Sequence, residues 1–234
     1  MNLDQLQVLV VGGNSGIGSS TVRTLSAAGA QLTVAARNGD GLPCAHQTFE
    51  ATDPSGSLEL PESLDALVYF PGTICLKPFH RLKPEDFAND MEVNFFAAVR
   101  VIQQALPSLK RSASGDPSIT LFSSVAASVG MPFHASIGSA KAAVEGLVRS
   151  LAAELSPGIR INAIAPSLTD TPLASQFLSS EAAREAAAKR HPLNRIGDPD
   201  QIAELVAFLI SRSSSFITGQ VLGVDGGLSS VHKV

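Results

Sequence analysis

LQVLVVGGNSGIG, residues 6–18, is the stretch from which the fold can be read. Leu6 to Val11 has the length and composition of a strand buried in a sheet. Gly12, Gly16 and Gly18 then form a G-x3-G-x-G turn, and a helix follows through about Ala28, stopped by Gly29. Small residues let the backbone approach an anion closely, and a helix N-terminus offers free N–H groups and the positive end of a dipole. A glycine-rich turn in isolation is a weak signal, but between a buried first strand and a helix it points to a pyrophosphate cradle. Gly12, Asn14, Ser15, Gly16, Ile17 and Gly18 are the residues such a cradle would use. The alternative, a tight strand–helix turn that holds nothing, is the lesser reading.

Outward from this unit, strands and helices alternate. Gln31 to Ala36 reads as a second strand, ending in Arg37. His46 to Ala51 reads as a third, ending at Thr52 and Asp53. The stretch before Asp65 is too short for a full crossover helix, so a loop or single turn is expected around Pro61, Glu62 and Ser63. Ala66 to Phe70 is a fourth strand, followed by Pro71 and Gly72. Pro84 to Leu106 reads as a helix, with Glu85 and Asp86 in the first turn where the dipole favours them. Ile119 to Phe122 and Arg160 to Ala165 are further strands, and Asp200 to Ser211 carries Ile202, Leu205, Val206 and Leu209 on one helical face. A last strand lies within residues 218–227. Strands alternating with helices predict an α/β fold, a doubly wound parallel sheet of about seven strands with helices on both faces. Residues 1–234 read as one domain.

Composition narrows the function. The net charge of −4 and a pI near 5.7 argue against nucleic acid as the main partner. No apolar run reaches the length of a bilayer span, and MNLDQLQ lacks the basic and apolar regions of a signal peptide. Cys44 and Cys75 give no disulfide framework and read as reduced thiols of a cytoplasmic protein. No Cys/His cluster has metal-ligand spacing, so no metal site is expected.

The chemistry is carried by residues 123–155, SSVAASVGMPFHASIGSAKAAVEGLVRSLAAEL. Ile137, Ala140, Val144, Leu147, Val148, Leu151 and Leu155 recur at helical spacing, and Ile137 and Lys141 share a face at i and i+4. A serine at the tip of the preceding strand and a lysine one turn into this helix can face one pocket. Here the chain resembles the short-chain dehydrogenase/reductase family. In that family a catalytic serine follows a strand, a tyrosine lies thirteen residues later, and a lysine four beyond that. Ser124 matches the serine and Lys141 the lysine, while Ile137 occupies the tyrosine position.

The resemblance runs over essentially the whole chain and implies more. Asn94 matches the catalytic asparagine, which in the family holds a helix distortion and a water linked to the lysine. Gly72 survives from an Asn-Asn-Ala-Gly motif that here reads Tyr69-Phe70-Pro71-Gly72. Pro166, Thr169 and Thr171 match a segment that meets the nicotinamide carboxamide, with Ser167 in place of a glycine. Asp53 matches an aspartate that contacts adenine, although a turn-forming Asp before Pro54 is nearly as good a reading. The second strand ends in Ala35 and Ala36, which offer no carboxylate to a ribose, whereas Arg37 suits the 2′-phosphate of NADP by charge and fork geometry. NADP is therefore expected over NAD, with Asp40 close by as a counter-indication.

The implied activity is oxidation of an alcohol or reduction of a carbonyl on a small molecule. Family members pair through the helices corresponding to residues 84–106 and 137–155, which implies a homodimer or homotetramer. An isoleucine has no transferable proton, and losing a general acid costs on the order of 10²- to 10⁴-fold in rate. His134, in the loop entering the helix, is a candidate substitute. The other function class is a non-catalytic NADP-binding protein, a sensor or partner subunit. An Ala-rich helix starting near Ser180 reads equally as a lid over the pocket and as a plain surface helix.

Overall fold

The computed structural model describes residues 3–231, so the first two residues of the N-terminal stretch lie outside it. Seven parallel strands make one sheet: β1 Gln7–Val11, β2 Gln31–Ala36, β3 Ala45–Thr48, β4 Ala66–Tyr69, β5 Ser118–Phe122, β6 Arg160–Pro166 and β7 Val221–Val224. Their order across the sheet is β3-β2-β1-β4-β5-β6-β7. The chain winds outward from β1 to β3, then returns to lay β4 on the other side of β1. That reversal opens a crevice beyond the carboxyl ends of β1 and β4, the place where such sheets bind ligands.

The helices are α1 Gly16–Ala27, α2 Pro84–Met91, α3 Ala97–Leu109, α4 Ala135–Leu155, α5 Glu181–Lys189 and α6 Pro199–Ile210. Alternation along the strands sends Leu9 and Val11 into one core and Val8 and Val10 into the other. The first core packs β residues against Val101, Ile102 and Ala105 of α3 and Val144 and Val148 of α4. The second packs them against Val22 and Leu25 of α1 and Ile202, Val206 and Leu209 of α6. Helices therefore cover both faces, as the alternation of elements implies.

Between β3 and β4 there is no helix among the described residues. Leu58 and Leu64 fill its place in the core. Side chains of α3 satisfy the loop backbone: Gln104 accepts from Leu58 N at 2.9 Å and donates to Gly56 O at 3.1 Å, and Ser108 Oγ donates to Pro61 O at 2.7 Å. Asp65 joins this loop to the sheet. Its carboxylate accepts from Gln7 N at 2.9 Å, Ser112 Oγ at 2.6 Å and Ser114 N at 3.0 Å.

Two boundaries differ from the sequence reading by more than two residues. β3 stops at Thr48 rather than Ala51, because Glu50 and Asp53 fold the backbone into turns by accepting from Thr52 and Ser55. The single helix expected from Pro84 to Leu106 is two α-helices joined by a π-helical turn, Glu92–Phe96, and it runs on to Leu109. A π-turn widens the helix by one residue and turns a side chain out of register, a feature frequent at functional sites. Asn94 sits at its centre.

Candidate active site

Two connected hollows lie beyond the sheet's carboxyl edge. The first is a groove of about 480 Å³ walled by the β1–α1 turn, the ends of β2 and β4, and Thr171 to Leu173. Gly12, Asn14, Ser15, Gly16, Ile17, Gly18, Arg37 and Gly72 all line it. Gly12 and Gly16 have φ of +79° and +52°, a conformation that side-chain-bearing residues rarely adopt. At Gly18 a Cβ would stand 2.3 Å from Gly12 O, so only glycine lets α1 begin this close to the turn. Ser15 precedes α1 in extended conformation and its hydroxyl makes no capping bond, leaving the first-turn N–H groups directed at the groove. Asn14 Nδ2 donates to Asn38 Oδ1 at 2.7 Å and ties the turn to the end of β2, a link the sequence reading did not contain. A Cβ-free wall with free helix N–H groups fits a dinucleotide's pyrophosphate.

One expected groove residue is displaced. Asp53 is not on the groove wall; its carboxylate accepts from Ser55 N at 2.8 Å and Ser55 Oγ at 2.7 Å, the turn-forming role weighed against adenine contact. The acidic side chain on the wall is Glu50. Hydrogen bonds from Thr52 hold its carboxyl below the usual value, with a smaller contribution from Arg37. Asp40 is exposed and off the wall, so Arg37 is the groove's own cation at this end.

The second hollow, about 530 Å³, is lined mainly by apolar side chains and meets the first at Gly72, Thr73 and Thr171. Ser124, Ile137 and Lys141 all line it, as do Pro166, Thr169 and Thr171. Both serines after β5 line the hollow, but they are engaged differently, since Ser123 Oγ donates to Glu145 Oε1 at 2.8 Å. Ser124 Oγ accepts from Ala126 N at 3.2 Å, which fixes the oxygen and leaves its proton to be donated. Gly138 makes the approach possible, since a Cβ there would lie 2.9 Å from Ala126 O. Thr169 Oγ1 donates to Ser167 O at 3.0 Å and Thr171 Oγ1 to Thr169 O at 3.4 Å, so both hydroxyls brace the loop after β6.

Lys141 is buried at 8% exposure and donates from Nζ to Phe122 O at 2.9 Å. Burial lowers its pKa to about 8, with Asp90 acting in the opposite direction. Asn94 donates from Nδ2 to Asp90 O at 2.8 Å and Thr73 Oγ1 at 2.9 Å, while its Oδ1 is buried with no protein partner. That oxygen and Lys141 Nζ border one point: a Cβ on Gly72 would lie 3.1 Å from the first and 3.4 Å from the second. A single polar atom placed between them would satisfy both.

Tyr69, the only tyrosine in the chain, is buried and donates its hydroxyl to Val93 O at 2.8 Å. It thus satisfies a carbonyl of the π-turn, and burial raises its pKa, so it is no proton donor for the hollow. His134 lines the hollow and its Nδ1 lies 2.7 Å from Pro132 O, which requires the proton on that nitrogen. Cys75 is half-buried and belongs to neither core nor either hollow wall. α5 resolves the two readings of the Ala-rich helix in favour of a cover. Ala183, Ala186 and Ala187 line the hollow, and Arg184 clamps α5 to Asp170 through contacts of 2.7 and 3.1 Å. Sequence reasoning missed His191, buried at 3%, whose Nε2 lies 2.8 Å from Ser167 Oγ and Nδ1 2.9 Å from Ala187 O. In the sequence Ser167 stands out only as a glycine replacement, and nothing local marks a histidine 24 residues away as its partner. Among the described residues no cluster of His, Cys, Asp or Glu could hold a metal ion, and no helix is long and apolar enough to cross a membrane.

The chain is similar to known proteins in sequence and in fold. The family model described as Enoyl-(Acyl carrier protein) reductase matches residues 57–229. A tropinone reductase homolog of Arabidopsis thaliana is 37% identical, over 97% of this chain and 94% of its own. The 3-oxoacyl-[acyl-carrier-protein] reductase of Thermotoga maritima is 33% identical over 97% and 99%. Among solved structures, the aldohexose dehydrogenase of Thermoplasma acidophilum superposes with a TM-score of 0.91 at 30% identity, covering 99% of this chain and 97% of that one. A seven-stranded parallel sheet, a glycine-walled groove and a relative more than 30% identical over nearly the full length place this chain in the short-chain dehydrogenase/reductase family of NAD(P)-dependent oxidoreductases.

Proposed function

We propose that the protein is an NADP(H)-dependent oxidoreductase that interconverts a carbonyl and an alcohol on a small, largely apolar substrate held in the 530 Å³ hollow. The observation that carries this reading is that Ser124 and Lys141 line one hollow while Lys141 Nζ and the unpartnered Asn94 Oδ1 both border Gly72, where groove and hollow meet. When bound, the dinucleotide supplies or accepts hydride at its nicotinamide. Gly12, Asn14, Ser15, Gly16, Ile17 and Gly18 would hold its pyrophosphate, and Pro166, Thr169 and Thr171 would shape the opposite wall. Arg37 favours the 2′-phosphate of NADP. Two solved structures similar to this one hold NADP, RhlG of Pseudomonas aeruginosa at 28% identity and a protein of Agrobacterium tumefaciens described as a 2-deoxy-d-gluconate 3-dehydrogenase at 28%.

Ser124 donates to the substrate oxygen and orients it. Lys141 sets positive charge beside the oxygen as negative charge develops there, an interaction that a site shielded from water strengthens. Asn94 offers an acceptor toward the lysine. Ile137 stands where the family's tyrosine stands and provides no proton, so the proton comes from water or from His134, at reduced rate. A homodimer or homotetramer formed through α2, α3 and α4, in the cytoplasm, completes this reading.

Fluorescence titration of cofactor-stripped protein with NADPH and NADH, followed by a carbonyl panel, tests it. Tight NADPH binding and turnover that rises in Ile137→Tyr are expected. Absence of binding to either nucleotide would sink it. The second reading, a non-catalytic NADP-binding protein, is favoured by Ile137 and by the engagement of the Tyr69 hydroxyl at Val93 O. Sustained wild-type turnover that disappears in Lys141→Ala would exclude that reading.

A further inference from the structure

Asp90, in the last turn of α2, has 0% exposure. Its carboxylate accepts from Thr73 Oγ1 at 2.5 Å and from Ser136 Oγ at 2.6 Å. Ser136 is the residue before Ile137 on α4, and Thr73 is the residue after Gly72 at the junction of groove and hollow. A buried carboxylate held only by hydroxyls is expensive unless a cation lies nearby.

The hydrogen-bond directions are determined. A carboxylate accepts only, so the Thr73 proton points to Asp90. The Thr73 oxygen is then left as an acceptor, and it takes one hydrogen of Asn94 Nδ2. The other goes to the Asp90 backbone carbonyl. With both hydrogens committed, the Asn94 amide cannot flip, and its oxygen is left beside Gly72, the residue that Lys141 Nζ also borders.

We propose that Asp90 is the positioning residue of this site: through Thr73 it locks the Asn94 amide oxygen toward Lys141, and its charge is the counter-charge of the Lys141 ammonium. The inference rests on the catalytic reading of Lys141 given above. The other charged groups of the neighbourhood are otherwise engaged or act elsewhere. Asp86 pairs with Lys77 at 2.6 Å, Glu145, one turn along α4 from Lys141, accepts from Ser123 Oγ at 2.8 Å, and His134, His191 and Arg190 line the hollow. Of all these, Asp90 alone acts on the lysine proton.

Three variants of the full chain test the proposal. Asp90→Asn removes the charge with little change of shape; Thr73→Val keeps the charge and removes the acceptor for Asn94; Thr73→Ser restores it. The first readout needs neither cofactor nor substrate: lysines are reductively ¹³C-methylated and the Lys141 resonance is titrated by NMR. Asp90→Asn is expected to move its midpoint down by about one pH unit, the low end for loss of a nearby opposite charge. Thr73→Val is expected to leave the midpoint in place, lower kcat about tenfold with KM unchanged, and be rescued by Thr73→Ser. An unmoved midpoint in Asp90→Asn overturns the counter-charge role. Wild-type kcat in Thr73→Val overturns the positioning role, and this variant carries the test if Asp90→Asn does not fold. In a chain without turnover, the catalytic reading fails and the Lys141 titration alone decides the inference.

Discussion

Lys141→Met should make the protein more stable at neutral pH while abolishing turnover. Burial lowers the Lys141 pKa from 10.5 to about 8. At about 1.4 kcal/mol per pH unit, keeping the ammonium in the fold costs on the order of 3 kcal/mol. Methionine retains the volume of the stem and removes the charge. It also strips Phe122 O of its donor, a loss of about 1 kcal/mol. The net gain is about 2 kcal/mol, which for a chain of this length raises Tm by roughly 4–8 °C. The gain has a definite pH window. Below about pH 8 both folded and unfolded chains hold the proton and the full cost is present. Between there and 10.5 the unfolded chain binds more protons, so wild-type stability rises with pH and the gap to Lys141→Met closes. Urea denaturation of both proteins at pH 7 and at pH 10 measures it. A variant less stable than wild type at pH 7, or a gap that does not shrink at pH 10, would refute the reasoning.

Arg37→Asp should weaken NADPH binding by about ten- to a hundredfold, the range of a lost charge-assisted contact, and leave NADH binding equal or tighter; competing fluorescence titrations read both. Gly18→Ala drives a Cβ against Gly12 O, a backbone atom that cannot give way without opening the turn. It should cost about 1–3 kcal/mol in urea denaturation and abolish nucleotide binding in the same titration. Asp65→Asn tests the link between loop and sheet. Burial pushes the Asp65 carboxyl up, but hydrogen bonds from Ser112, Gln7 and Ser114 outweigh it and leave the pKa lowered. The stability it contributes is present above the unfolded carboxyl value and is lost as pH falls through the lower folded value. The variant should therefore be about 1.5–3 kcal/mol less stable at pH 7, with the difference vanishing in acid.

The elements whose signals are local were legible in the sequence. A continuous apolar run, a glycine turn and a helical stripe define β1, α1 and α4 without reference to anything distant, and each was placed within a residue or two. The missing crossover helix before β4 followed from chain length. The misplaced residues have a common physical cause. Asp53 and Glu50 both stand at the end of a strand, and which carboxylate faces the groove depends on where the strand stops pairing, which the turns at Thr52 and Ser55 decide. Asp90 and Ser136 lie 46 residues apart, and Ser167 and His191 lie 24 apart. Each pair exists only because two elements pack together, so neither leaves a mark at any single position.

The polar groups that remain around residue 137 favour an enzyme over a binding module. A groove that only holds a nucleotide needs Gly12, Gly16 and Gly18 and the α1 N-terminus. It does not need a buried ammonium under an apolar hollow, nor a buried carboxylate to face it. Methionine at 141 and leucine at 90 would pack as well and remove the desolvation cost of both charges. Where a fold retains charged groups that its stability does not require, the function is the remaining reason for them. On the proposed reading Ile137 offers the site no proton, while the lysine, Asp90, the asparagine and the Ser124 hydroxyl all act on the substrate oxygen or on one another. That set is coherent only if an oxygen gains and loses charge in the hollow, and it is why Lys141→Met separates the two readings: stability gained with turnover lost is the expected signature of a catalytic site, and stability gained with nothing lost is that of a relic.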